Sequence, residues 1–182
     1  MTGAPDTELM LRAGSDDDEA AFAILVERYQ NVLLNLFLRK GVTLSDGEDL
    51  AQRTFLRLWR YRTRYTPQAK FTTFLFMLAI QEATDFFRAA ARRRSLEEGF
   101  AAELEAAASA RPEAPATDGA DVRRAVARLP DGLRDVVELG VFQDLPYAEV
   151  ASILGIPRGT VKSRMFHALK RLKEMIADEQ GS

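Results

Sequence analysis

The 182-residue chain carries 25 basic and 27 acidic side chains, a formal net charge of −2, with 47% apolar residues and no cysteine. Its length and apolar content allow one or two small cores, and the lack of Cys excludes disulfides and thiolate metal centres. No apolar run approaches the roughly 20 residues a membrane span requires, and the N-terminus lacks a basic-then-apolar signal pattern. The expectation is therefore a cytoplasmic protein without membrane insertion.

The charge is segregated along the chain. Residues 1–94 hold 14 basic and 12 acidic groups, residues 95–120 hold 1 and 6, and residues 121–182 hold 10 and 9. Local clusters therefore matter more than the total.

Acidic Asp16 to Glu19 precede a helical pattern whose apolar positions Phe22, Leu25, Val26, Tyr29, Leu33, Leu36 and Phe37 form one stripe, ended by Gly41. Ser45 followed by Glu48 is a capping-box pattern and predicts a second helix to about Tyr61. Pro67 interrupts the loop RTRYTPQAK, and a third, aromatic-rich helix is predicted from about Phe71 to Arg93. Residues 95–120 combine Ala and Glu with Pro112, Pro115 and Gly119 and read as an acidic linker, helical in its first half and then flexible, and mobile in the free protein. A second domain is predicted over 121–182, with helices in VRRAVAR and DGLRDVVELGVF. No strand alternation is visible. The predicted fold class is all-α, with two small helical domains, 1–94 and 121–182, that fold separately.

The last segment, Leu145 to Lys173, reads as two helices joined tightly around Gly155, which suits a left-handed C-cap, with Pro157 opening the next helix. Val161, Met165 and Leu169 predict the buried stripe of the second helix. From Arg158 to Lys173 there are six basic residues and no acidic ones. Such a helix-turn-helix presents its second helix to a major groove, where cations neutralise phosphates. An amphipathic bundle helix with a solvated basic face would show the same pattern. In the first domain, Arg53, Arg57, Arg60, Arg62, Arg64 and Lys70 form another basic run, followed by Phe71, Phe74, Phe76, Phe86 and Phe87. Rings interleaved with cations suit single-stranded nucleic acid, although about half of these rings are expected in the core.

Three strings carry a specific resemblance: DGEDLAQRTFLRLWRYR, KFTTFLFMLAIQEATDFFRAAARRR and GTVKSRMFHALKRL. In this order they resemble the sigma-70 family, and within it the compact extracytoplasmic-function group that keeps only regions 2 and 4. The resemblance implies a factor that binds core RNA polymerase, reads promoter DNA and helps to open it. It implies a region 2 over 1–94 for the −10 element, a region 4 over 121–182 for the −35 element, and regulation by an anti-sigma factor. Asp49, Gln52, Arg53 and Leu56 would dock on core polymerase, although the family usually has an acidic residue where Arg53 stands. Arg64, Tyr65, Lys70, Phe71, Phe74, Gln81 and Arg88 would serve the −10 strand. Phe74 stands where the family often has Trp, and Gln81 where many members have Asn. Arg158, Thr160, Lys162, Ser163, Arg164, Phe166 and His167 would approach the −35 duplex. No cofactor, metal or catalytic residue is implied.

Three other classes compete. An enzyme is disfavoured by one His, no Cys, and no phosphate loop or HExxH motif. A helix-turn-helix regulator with an unrelated N-terminal domain fits the C-terminal half, but no alternating receiver pattern precedes it. A polymerase adaptor that reads no promoter leaves the aromatic–basic loop without a role.

Overall fold

The structure, a computed structural model, describes residues 3–100 and 120–180. Within them the chain forms α1 (Asp6–Ser15), α2 (Glu19–Arg39), α3 (Leu44–Tyr61), α4 (Phe71–Phe100), α5 (Ala120–Ala127), α6 (Asp131–Val137), α7 (Tyr147–Leu154) and α8 (Arg158–Gln180). A 3-10 turn spans Arg62–Arg64, and a π-turn spans Glu138–Phe142 after α6. Among the described residues there is no strand, and the all-α expectation holds.

α1 has no counterpart in the sequence reading. It buries Leu9, Met10 and Ala13 against α2 and the 3-10 turn. Its close approach depends on Gly14, where a Cβ would meet the Arg62 carbonyl oxygen at 2.3 Å. Arg28 pairs with Asp6 at 2.6 Å, and the Tyr29 hydroxyl donates to the same carboxylate at 2.5 Å. Burial and that carboxylate push the Tyr29 phenol far above its ordinary value.

Caps set the boundaries of the next two helices. Asp18 accepts from the Ala21 N–H at 2.9 Å and so starts α2, and this bond, with Arg12, holds its carboxyl below the usual range. The cap of α3 is Thr43, two residues before the predicted Ser45. The Thr43 hydroxyl accepts from the Asp46 N–H at 3.1 Å and donates to Asp46 Oδ2 at 2.7 Å. Val42 is buried just upstream, so the chain turns into helix there. The four N-terminal helices enclose Leu25, Leu36, Phe37, Leu50, Leu58 and Leu75.

α4 continues through Phe100 and takes in the first residues of the expected linker. Residues 101–119, with the expectation of mobility, lie outside the described residues. In the C-terminal half Gly155 adopts φ 63°, ψ 34° and ends α7. This is the left-handed C-cap that its sequence position demands. Pro157 occupies the cap position of α8, where its carbonyl accepts from Thr160 and Val161. The buried stripe of α8 is Val161, Met165, Ala168 and Leu172. Leu169 is half exposed, because a 3.6-residue period turns inward at 168 where a strict four-residue repeat would not.

The two halves pack against each other. α4 lies across α7, and α2 meets α5. Arg39 forms a bidentate pair with the fully buried Glu138 at 2.5 and 2.6 Å. Lys40 pairs with Asp135, and Arg134 donates to the Lys40 carbonyl at 2.8 Å. One hydrophobic cluster runs through both halves.

Candidate nucleic-acid interface

α8 presents its surface by the same period that builds its core. Val161, Met165, Ala168 and Leu172 face inward. This leaves Arg158, Lys162, Ser163, Phe166 and His167 exposed and Thr160 and Arg164 partly covered. Phe166 is 67% exposed, unusual for a large apolar ring. The Phe166 and His167 rings meet edge-on at 5.6 Å. Arg164 leans back onto α6, so that a Cβ on Gly132 would stand 3.2 Å from its Nη1. The seven predicted −35 residues thus lie around the part of α8 left outside its buried stripe, with Arg164 anchored at one edge.

The expected −10 residues divide into two groups. Arg64, Lys70, Gln81 and Arg88 are exposed. Tyr65 and Phe71 are buried in the core, and their rings contact each other edge-on at 6.4 Å. Neither presents an open ring face at the surface. The cause is the turn after Arg64, which points Tyr65 inward toward α1. Burial raises its phenol above the usual value. Phe74 is half-buried and packs on Tyr61 at 5.1 Å and Tyr65 at 5.7 Å. Of the five rings in question, Phe71 and Phe76 are buried, while Phe74, Phe86 and Phe87 are partly exposed. Arg62 stacks over Trp59 at 3.8 Å and pairs with Asp17 at 2.6 Å, which fixes the start of the loop.

On α3, Asp49, Gln52, Arg53 and Leu56 stand together on one exposed face, as their i, i+3, i+4, i+7 spacing requires. Leu56 is 55% exposed, whereas neighbouring Phe55 is buried. Arg53 Nη2 lies 2.7 Å from Asp49 Oδ2, an ion pair within the face itself.

Sequence reasoning missed the residues that join the halves. Glu149 of α7 lies 2.6 Å from Lys70 and accepts from the Thr73 hydroxyl at 3.1 Å. Arg39, Lys40, Asp135 and Glu138 form the other end of the contact. Nothing in local spacing marks such pairs, since their members lie between 76 and 99 residues apart. Among the described residues no group of His, Asp and Glu could hold a metal ion, and no helix is long and apolar enough to cross a membrane.

The chain matches the sigma-70 region 2 family over residues 25–93 and the sigma-70 region 4 family over residues 120–172. It is 31% identical over 171 residues to the ECF RNA polymerase sigma factor RpoE of Cereibacter sphaeroides, across 93% of this chain and 94% of that protein. Among solved structures it resembles CnrH, in complex with the cytosolic domain of CnrY, with a TM-score of 0.72 at 23% identity over 95% of this chain and 97% of that one. It also resembles RpoE of Bartonella quintana, solved with the anti-sigma factor NepR, with a TM-score of 0.69 at 22% identity over 86% and 96% of the two chains. The order of the two matched regions, the all-helical fold and the full-length relationship agree: this chain belongs to the sigma-70 family of RNA polymerase sigma factors, in its extracytoplasmic-function group.

Proposed function

We propose that the protein binds core RNA polymerase through the exposed α3 face, reads the −35 element with α8, and engages the melted −10 strand with the Arg62–Lys70 loop and the exposed edge of α4. The single observation that supports this most is the division of labour between two basic surfaces. One is a helix-turn-helix helix with an exposed cationic side; the other is a cationic loop over half-buried rings. Duplex recognition needs the first, and unpaired strands need the second. An ordinary helix-turn-helix regulator is disfavoured, because the region 2 match covers the N-terminal half. The factor performs no bond-making chemistry of its own and lends promoter specificity to the polymerase. Its place of action is the cytoplasm, and an anti-sigma protein is the expected regulator.

Run-off transcription with purified core polymerase on a genomic promoter pool tests this reading. Transcripts starting downstream of a shared two-part motif are the expected result. A protein that binds DNA yet directs no transcript from any promoter overturns it.

A further inference from the structure

Arg62 opens the cationic loop, yet its guanidinium is already engaged within the chain. Nε and Nη2 donate to Asp17 Oδ1 at 3.0 and 2.6 Å, and Nη1 donates to the Trp59 carbonyl at 3.0 Å. Its Cζ lies 3.8 Å from the centre of the Trp59 ring. A cation stacked on an indole and held by three hydrogen bonds has little left to offer a phosphate. Arg64, two residues on, and Lys70 are exposed on the same loop.

The hold on Arg62 comes from the turn between α1 and α2. Asp17 adopts φ 52°, a left-handed conformation that few residues other than glycine, Asn and Asp accept, and in it the carboxylate reaches Arg62. Gly14 brings the end of α1 against the same place from the backbone side, where a Cβ would stand 2.3 Å from the Arg62 carbonyl oxygen. That carbonyl accepts from the Tyr65 N–H at 3.3 Å and so closes the 3-10 turn that leads into the loop. Asp18 caps α2 and pairs with Arg12 at 2.6 Å, which ties the α1–α2 turn to both of its helices. Side chain and backbone of Arg62 are thus fixed by one rigid corner of the N-terminal half.

We infer that the α1–α2 turn governs how selectively the −10 strand is read, with Asp17 and Arg62 as positioning residues that fix the loop and do not touch DNA. The inference rests on the assignment of this loop to the −10 strand. It removes Arg62 from the strand contacts that its place in the basic run suggests, and leaves that work to Arg64 and Lys70. Base reading depends on placement, and a displacement of about 1 Å at such a site is enough to erode it. Loosening the corner therefore costs discrimination between −10 sequences before it costs fold stability.

The test uses the full chain with core polymerase, on a promoter recovered by run-off transcription and on its single-base −10 and −35 variants. The ratio of parent to variant transcript measures discrimination at each element. Asp17→Gly keeps the left-handed backbone and removes the carboxylate. Its urea midpoint should stay near the parent's and its −35 ratio should not change, while its −10 ratio falls about threefold, the scale of an exposed ion pair. Arg62→Gln should do the same. Asp17→Asn retains an acceptor oxygen and tolerance of the left-handed turn, and should restore most of the −10 ratio. Emission of the single tryptophan, Trp59, should shift in Asp17→Gly and Arg62→Gln as the guanidinium leaves its ring, and should not shift in Arg64→Ala. Arg64→Ala, which removes a phosphate contact, should lower transcript from all −10 variants alike. An unchanged −10 ratio in both Asp17→Gly and Arg62→Gln overturns the inference, as does an equal fall in the −35 ratio. A uniform loss in Arg62→Gln beside a parental Asp17→Gly also overturns it, because Arg62 is then a direct strand contact. Failure of the functional reading is seen separately, as a parent that directs no transcript with core polymerase; the positioning role then falls with it.

Discussion

Arg53 changes what Asp49 can offer a partner. The two side chains pair at 2.7 Å, and each is more than half exposed. Such a pair contributes about 0.3–0.5 kcal/mol, so a partner that needs the Asp49 carboxylate must displace Arg53 at a cost of about twofold in affinity. Leu56 carries no such debt. Removing an apolar anchor at the centre of an interface commonly costs about 2 kcal/mol. Leu56→Ala should therefore weaken core polymerase binding about thirtyfold in a fluorescence titration, while Arg53→Ala tightens it slightly. An unchanged affinity for Leu56→Ala would move the docking face elsewhere. Lys162, exposed on α8, is a phosphate contact if its replacement by Ala weakens −35 duplexes uniformly and lowers the salt slope by about one. A loss confined to one base position would make it a base reader. Tyr29 links stability to alkaline pH. Its phenol stays protonated in the folded state well above the ordinary value of about 10. Below that pH its contribution is complete. Above it the unfolded chain ionises first, so stability falls as pH rises. Tyr29→Phe should make this decline shallower in urea titrations between pH 9 and pH 11.

At the scale of elements, the legible parts of the fold were those where a period repeats over several turns. α2, α3 and α4 each bury enough apolar positions to show a stripe. α1 was not legible, because ten residues with three buried positions leave too short a pattern, and what fixes it is the Gly14 contact with the Arg62 backbone. The α8 stripe was readable as a pattern and wrong at one position, since Leu169 and Ala168 differ only in phase. Tyr65 and Phe71 were ambiguous for a deeper reason: composition reports a ring and its charged neighbours, but only tertiary packing decides which side the ring faces. The turn at Gly155 was fully legible, because few residues other than glycine tolerate its φ of 63°. Gly155→Ala has open space for its Cβ, so the cost is conformational alone. A loss of about 1 kcal/mol is expected on chemical denaturation, together with weaker −35 binding as α8 loses its fixed angle to α7. A neutral effect would show that the turn can adopt another conformation at no cost.

The contact between the halves belongs to the whole molecule and was invisible in the sequence. Its centre is Glu138, fully buried and satisfied by Arg39 and by Gln143, whose side-chain amide donates at 2.9 Å. A buried pair of this kind does little net work while intact, but deletion of one partner strands the other charge at a cost of about 3 kcal/mol. The single tryptophan, Trp59, lies in the N-terminal half against Phe22 and Arg62, so its fluorescence reports that half alone. Helix signal in circular dichroism reports both. In the parent the continuous core should make the two urea transitions coincide. In Glu138→Ala the C-terminal half loses its buried partner and much of its hold on α2, so helix signal should fall at lower urea while Trp59 persists to nearly its parental midpoint. Arg39→Ala, removing the other member, should produce the same separation, because either deletion leaves one charge of the pair stranded at the interface. Coincident transitions in both variants, shifted equally, would instead mean that the apolar cluster alone couples the halves and that the ion pairs serve only to set their relative position.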